Sequence, residues 1–205
     1  MALVEYLVAR DGPPPRRGLA YDYLLAGDGL YVATEGLHLA ARVPVARATV
    51  RGLPSLHPCF ALRRGRLPQC LWGQIVAAAG ARPERELLLA VSVEPSGYQL
   101  LRPTQVAGRL RVVYRPLADV LLEIHSHGVY PACFSRTDDA DEQGFGLYGV
   151  IGRLGTERPE VALRVGVYGY FLPVPWEAVF EGDRGPFRDV HFDPPAGTDG
   201  DGVPD

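Results

Sequence analysis

Residues 119–142 read DVLLEIHSHGVYPACFSRTDDADE, a stretch that opens as an apolar strand and ends that strand with two histidines. Side chains at positions i and i+2 of a strand project from the same face, so His125 and His127 can converge on one ion. Ser135 and Asp138 follow and complete the spacing HSHx7SxxD. Two imidazoles and one carboxylate are a three-ligand set used by catalytic zinc, which keeps its fourth position for water. The stretch therefore predicts a strand that carries a metal site at its end.

Chance is a weak explanation for this spacing. The chain has 205 residues with five His, five Ser and 13 Asp. At that composition a random HxHx7SxxD match has a probability of roughly two in ten thousand. A lone histidine on a strand is usually a hydrogen-bonded structural residue, but that interpretation does not explain why two His, one Ser and one Asp occur at this spacing.

The flanking sequence predicts one helix and several short strands. Residues 67–81, LPQCLWGQIVAAAGA, repeat apolar residues at helical spacing between Pro68 and Gly80. Short apolar runs bounded by Pro, Ser and Gly read as strands, and the last two, joined by LGTERP, suit a hairpin. These predicted strands cover residues 86–93, 98–103, 109–114, 119–127, 146–154 and 160–171.

The composition and the distribution of apolar, Gly and Pro residues predict how the chain is organised. With 24 Gly and 19 Pro the chain is rich in turn formers, which favours short strands over a helical bundle. Residues 1–66 alternate brief apolar runs with Gly and Pro and predict a β-rich N-terminal region. Residues 67–188 form the main predicted domain, and the acidic residues 189–205 predict a disordered tail. The predicted fold class is α+β or α/β, a helix packed on a mixed sheet after a β-rich extension.

Charge and cysteine content exclude several function classes. The net charge of −3 provides no basic footprint for nucleic acid or anionic lipid, so neither is expected as a partner. No apolar run approaches the ~18 residues of a membrane span, and no signal-peptide pattern opens the chain. Three cysteines without CxxC spacing support neither a disulfide framework nor a Cys-based zinc site. These features predict a cytoplasmic protein.

The motif HSHx7SxxD resembles the signature of the JAMM (MPN+, or JAB) metalloproteases. Within that family, HSHG, FSRTDDADEQGF and YGVIGRL are most similar to the bacterial PRTRC-system protein A group. The resemblance covers about residues 67–170. It implies a JAB/MPN, cytidine-deaminase-like mixed sheet with flanking helices and a Zn²⁺ ion held by His125, His127 and Asp138. It also implies that Ser135 steadies the tetrahedral intermediate.

The same resemblance implies a substrate class and a general base. Family members cut peptide or isopeptide bonds after the C-terminal tail of ubiquitin or a ubiquitin-like protein, and the subgroup implies a neighbouring E1-like adenylating enzyme. A Glu on a strand after the first helix acts as the base. Glu86 is our choice because it opens an apolar strand, whereas Glu84 follows Pro83 in a predicted turn. The family's Gly after this Glu is absent, so Glu84 remains an alternative, and Glu123 is a rival on the histidine strand.

Other residues near the motif have ordinary interpretations. Cys133 lacks a separate base and is expected to be a packing residue. Asp139, Asp141 and Glu142 predict a solvated acidic face that can attract an Arg-containing peptide tail. An extended peptide is expected in a groove lined by residues 94–110 and 128–134.

Two alternative functions remain at this point. One is a JAMM-fold hydrolase that processes a sulfur-carrier protein or its adduct. The other is a zinc-bearing MPN scaffold without turnover, since the general base departs from the family pattern.

Overall fold

The structure is a computed structural model that describes residues 2–103, 105–107, 112–114 and 120–190. Parts of the predicted strand 109–114 and of the groove segment 94–110 lie outside the described residues, as do residues 191–205 of the predicted tail. Within the described ranges the chain is α+β with few helices. No helix there combines the length and the apolar character needed to cross a membrane.

The elements of the described chain are three helices and fourteen strands. The helices are α1 (Gln69–Gly80), α2 (Arg136–Asp141) and α3 (Trp176–Val179). The strands are β1 (Val4–Val8), β2 (Tyr21–Ala26), β3 (Gly29–Glu35), β4 (Leu39–Arg47), β5 (Cys59–Leu62), β6 (Leu88–Glu94), β7 (Gly97–Leu101), β8 (Gln105–Ala107), β9 (Val112–Tyr114), β10 (Val120–Ser126), β11 (Phe145–Gly152), β12 (Glu160–Val167), β13 (Tyr170–Pro173) and β14 (Arg188–Asp189).

Two mixed sheets organise these strands. The first sheet has the order β1-β2-β3-β4-β5, with β1 parallel to β2 and the other neighbours antiparallel. The second has the order β13-β12-β11-β10-β6-β7, with β14 beside β12. The histidine strand β10 lies between β11 and β6, near the centre of the second sheet, and it runs parallel to β11. Strands β8 and β9 pair with each other.

One large hydrophobic core joins α1 to both sheets. The helix buries Leu71, Trp72 and Ile75, which matches the face that helical spacing indicates. Val32 of the first sheet and Ile124 of the histidine strand belong to the same cluster of buried side chains. The N-terminal sheet is therefore packed into the core on which the main sheet also depends.

The end of the second sheet differs from the predicted strands in two places. Residues 160–171 form two strands, because Tyr168 and Gly169 have φ values of 49° and 88° and make a two-residue hairpin turn between β12 and β13. Asp189, predicted to begin the tail, belongs to β14, where its carboxylate accepts a hydrogen bond from the Trp176 amide at 2.7 Å. The next residue, Val190, donates its amide to the Val161 carbonyl.

Candidate metal centre

His125, His127 and Asp138 meet at the C-terminal end of β10. His125 is within the strand, His127 follows its last residue, and Asp138 comes from the short helix α2. The Nε2 atoms of the two histidines lie 3.1 Å apart, and His125 Nε2 lies 3.4 Å from Asp138 Oδ1. All three ligand atoms lie within 4.8 Å of one another. The structure thus brings together the three residues that the sequence predicts as metal ligands.

These separations fit a tetrahedral zinc site. Zinc binds nitrogen and oxygen at about 2.0–2.2 Å, so a tetrahedral site separates its ligand atoms by about 3.3 Å. The two separations that involve His125 Nε2, 3.1 and 3.4 Å, bracket that distance. The side chains of His125 and Asp138 retain 14% and 19% of their exposure, which leaves an approach from solvent for a further ligand. The donor set and the partial access suit a catalytic ion better than a closed structural one.

Hydrogen bonding and burial prepare both imidazoles for a metal. His127 Nδ1 lies 3.1 Å from the Pro131 carbonyl oxygen, which can only accept, so Nδ1 carries the proton and Nε2 is left free to ligate. Burial lowers the pKa of His125 to about 4, and the Asp138 charge only partly offsets this effect. The His125 ring is therefore neutral at neutral pH, and the hydrogen bond of His127 Nδ1 directs its Nε2 toward the site.

The SxxD part of the motif is also a helix cap. Asp138 Oδ2 accepts a hydrogen bond from the Ser135 amide at 2.6 Å, and Ser135 Oγ accepts one from the Asp138 amide at 3.2 Å. This reciprocal capping box starts α2 and fixes the rotation of the Asp138 carboxylate. One carboxylate oxygen is committed to the cap while the other faces His125. The Ser135 hydroxyl proton remains available as a donor.

Glu86 and Glu84 have different surroundings. Glu86 is half-buried in extended chain just before β6, whereas Glu84 is exposed in the preceding turn. Leu87 and Ser126 are joined by hydrogen bonds, and Leu88 pairs with His125, so Glu86 lies beside His127. Burial is the main cause that raises the pKa of Glu86, with His127 lowering it and Asp138 raising it. Glu86 is therefore the carboxylate within electrostatic reach of two candidate ligands.

Two glycines allow the loop after the histidines to cross the sheet end. Gly128 has a φ of +58°, and a Cβ there would lie 2.1 Å from the Pro83 carbonyl oxygen. A Cβ on Gly152 would lie 2.3 Å from the Ala132 amide nitrogen. The Ala132 amide also donates to the Glu160 carboxylate at 3.2 Å. These close approaches hold the ligand loop against β11 on one side and against the turn before Glu86 on the other.

Of the three acidic residues predicted to form a solvated face after Asp138, Asp139 and Asp141 are exposed and Glu142 is not. Glu142 is buried, and Arg164 of β12 donates to its Oε2 from Nε at 2.9 Å and from the terminal Nη2 at 2.6 Å. Arg164 also donates to Asp139 Oδ1 at 2.6 Å. Asp141 is exposed. The prediction was wrong for Glu142, because a distant strand supplies a buried cation that is paired with it.

Cys133 and Glu123 have roles outside the ligand set. Burial raises the pKa of the Cys133 thiol, and Asp138 and Glu160 raise it further, which opposes the thiolate that a nucleophile needs. Glu123 pairs with Tyr148 in the register of β10 and β11. Burial chiefly raises the pKa of Tyr148, and the charge of Glu123 adds to the rise.

Sequence reasoning did not identify Arg164 as part of this site. The one signal was a charged residue inside EVALRVGV, a strand in which every residue is buried. A buried charge requires a partner, so the position of Arg164 indicates an internal ion pair but does not identify the acidic residue.

Comparisons with known proteins leave the family unassigned. No protein-family model matches the chain, and no curated protein matches it.

Proposed function

We propose that this protein is a zinc-dependent peptidase of the JAMM type that cleaves after the C-terminal Gly of a ubiquitin-like protein or of its conjugates. The observation that carries the proposal is the convergence of His125, His127 and Asp138 with Glu86 beside them. Three ligands, one nearby carboxylate and partial solvent access are the parts that hydrolysis at a metal requires.

The JAB/MPN fold is part of this proposal. Its support is the order of elements: helix α1, then Glu86 just before β6, then β10 with the histidines at its end, and β11 as a parallel neighbour of β10. The ligand Asp138 is carried on the connection between β10 and β11. This order agrees with what the motif's resemblance implies.

The residues divide the chemistry between them. When bound, zinc supplies a Lewis acid that lowers the pKa of water and polarises a carbonyl oxygen. Glu86 accepts a proton from the attacking water and returns it to the leaving amine, which in an isopeptide is a lysine nitrogen. The raised pKa of Glu86 suits this task, because a base that must also release its proton works best near the operating pH. The Ser135 hydroxyl donates a hydrogen bond where negative charge builds on the carbonyl oxygen.

The substrate is expected to present an extended tail with small residues at the scissile bond. Bulk beside the scissile carbonyl would block its approach to a site in which the His125 and Asp138 side chains are less than one-fifth exposed. Glycine suits that position because it has no side chain. An E1-like adenylating enzyme is a further expected partner. A reducing compartment such as the cytoplasm suits the three unpaired cysteines.

Metal analysis tests the ligand set first. The purified protein should contain about one zinc per chain, since three protein ligands define the site. His125→Ala, His127→Ala and Asp138→Ala should each lose the metal and remain folded. His57→Ala is the matched control, because His57 is exposed and lies between β4 and β5, far along the chain from the ligands. Full zinc content in the His125→Ala protein would end the proposal.

A substrate panel tests the activity. Ubiquitin-like proteins extended beyond the terminal Gly, sulfur-carrier proteins and unrelated peptides are offered to the zinc-loaded protein. Cleavage after Gly, lost when that Gly is replaced by Val, supports the proposal, and preference for the sulfur carriers favours that alternative. Equal cleavage of unrelated peptides contradicts the proposed specificity for ubiquitin-like proteins. Full zinc content without cleavage of any substrate favours a non-catalytic scaffold.

A further inference from the structure

Helix α2 has little packing of its own to hold Asp138 in place. It is six residues long and none of its side chains is buried. A helix this short is unstable in isolation and depends on tertiary contacts for its position. The capping box sets the rotation of Asp138 within the helix, but it does not tie the helix to the sheet. Some other contact must set the distance between Asp138 and the histidines of β10.

Arg164 makes that contact at three points along the ligand segment. Its guanidinium carbon lies 3.8 Å from the centre of the Phe134 ring, immediately before the cap residue of α2. It donates to Asp139 in the first turn of α2 and to Glu142 at its C-terminal cap. The centre of the Phe171 ring lies 3.7 Å from the same guanidinium carbon.

The buried surroundings of Arg164 restrict the movement of these contacts. Only 8% of the Arg164 side chain is exposed, and that of Glu142 is 10% exposed. Charge-assisted hydrogen bonds are stronger when water is excluded, and the planar guanidinium is oriented by the rings on its faces. Arg164 also belongs to β12, two strands from β10 in the same sheet, so its base moves with the histidine strand.

We propose that Arg164 is a positioning residue for the metal: it holds α2 at the spacing that allows Asp138 to complete the site with His125 and His127. This inference rests on the proposed zinc site and goes beyond it, because Arg164 contacts no ligand atom. Residues that orient metal ligands from behind typically change metal affinity about 10- to 100-fold when they are altered.

The test separates the hydrogen bond from the charge by using two substitutions at one position. Asp139→Ala removes one of the two carboxylates that accept hydrogen bonds from Arg164, whereas Asp139→Asn removes the same charge but keeps an oxygen that can accept. Asp141→Ala is the second control, since Asp141 lies on the same helix, is exposed and carries the same charge. Asp139 and Asp141 are both exposed, so the three variants should fold.

The readouts are the Kd for Zn²⁺, measured by competition with a chromophoric chelator, and the visible spectrum of the Co²⁺-loaded protein, which reports ligand geometry. Asp139→Ala should raise the Kd about 10-fold and change the spectrum. Asp139→Asn should restore most of the affinity, and Asp141→Ala should stay within about 3-fold of the original Kd, as expected for an exposed charge.

The outcomes distinguish this inference from the proposed function. Equal Kd values for Asp139→Ala, Asp139→Asn and Asp141→Ala, with an original protein that binds zinc, would overturn the role of Arg164 and leave the peptidase proposal intact. An original protein that binds no zinc would instead overturn the proposed function.

As a second variant, Arg164→Met combined with Glu142→Leu replaces the buried ion pair by apolar groups of similar size. Such replacements often leave stability unchanged or higher. A stable fold with weakened zinc binding supports positioning, whereas a stable fold with unchanged zinc binding contradicts it.

Discussion

Gly128→Ala should damage the site without touching a ligand. Gly128 follows His127 and has a φ of +58°, in the left-handed region that favours glycine. A Cβ at this position would lie 2.1 Å from the carbonyl oxygen of Pro83, the residue that opens the turn before Glu86. The segments that carry the proposed ligand His127 and the proposed base Glu86 therefore approach each other at this glycine, and an added methyl group must separate them.

The size of the effect follows from two terms. The left-handed backbone costs a non-glycine residue about 1 kcal/mol. Ordinary contact begins near 3.4 Å, so the Pro83 carbonyl and residue 128 must move apart by about 1.3 Å. Forcing atoms into a packed region costs about 1–3 kcal/mol. The free energy of unfolding should fall by about 2–4 kcal/mol in total, and a displacement near 1 Å at the site should lower the cleavage rate about 100-fold.

Gly155→Ala is the matched control for the backbone term. Gly155 has a φ of +80°, but a Cβ there would meet nothing within 4 Å. Its unfolding free energy should fall by only about 1 kcal/mol, and its activity should be unchanged. Urea unfolding of both variants, followed by rate measurements at saturating zinc, compares the two. Equal losses of stability and equal rates in the two variants would refute the contact between the ligand loop and the Pro83 turn.

Four further predictions address the proposed roles. Glu86→Gln should retain zinc and lower kcat about 100- to 10,000-fold, whereas Glu84→Gln should be mild; the reverse order in a steady-state assay would make Glu84 the base. Ser135→Ala should also keep zinc, with a rate about 100- to 1000-fold lower, because one hydrogen-bond donor is lost. Cys133→Ser should have nearly full activity, and inactivation by a thiol alkylator that this variant resists would contradict the metal mechanism. In metal-free protein, the pKa of His125 is lowered to about 4. The neutral His125 ring contributes fully to the free energy of unfolding above pH 6.5. As the pH falls from 6.5 toward 4, only the unfolded chain takes up the proton, so the free energy of unfolding falls by about 3 kcal/mol. Between pH 7 and pH 4, the free energy of unfolding measured with urea should therefore fall more steeply with pH in the original protein than in His125→Gln. Parallel pH profiles of the two proteins would contradict a buried neutral ring.

Local sequence patterns were sufficient for the parts of the site that depend on neighbouring residues. The two-residue spacing of His125 and His127 gives a common face because side chains alternate along a strand. The SxxD pattern places Asp138 one turn after its cap, where a capping box forms within four residues. Helix α1 follows from apolar residues at helical spacing after a proline. The Tyr168–Gly169 turn was equally local, but the apolar residues around it hid the hairpin signal in a continuous run.

Only the tertiary structure decided which distant groups complete the site. Arg164 is 22 residues from Glu142, and no periodicity links a buried arginine of β12 with a helix that precedes β11. The position of Glu86 beside His127 depends on the register of β6 against β10, which no pattern within either strand specifies. The shared core of the two sheets was likewise invisible in the sequence, because each strand shows a buried face without showing what covers it. Short-range patterns specify which atoms a residue can offer, and packing between strands distant in sequence decides which atoms meet.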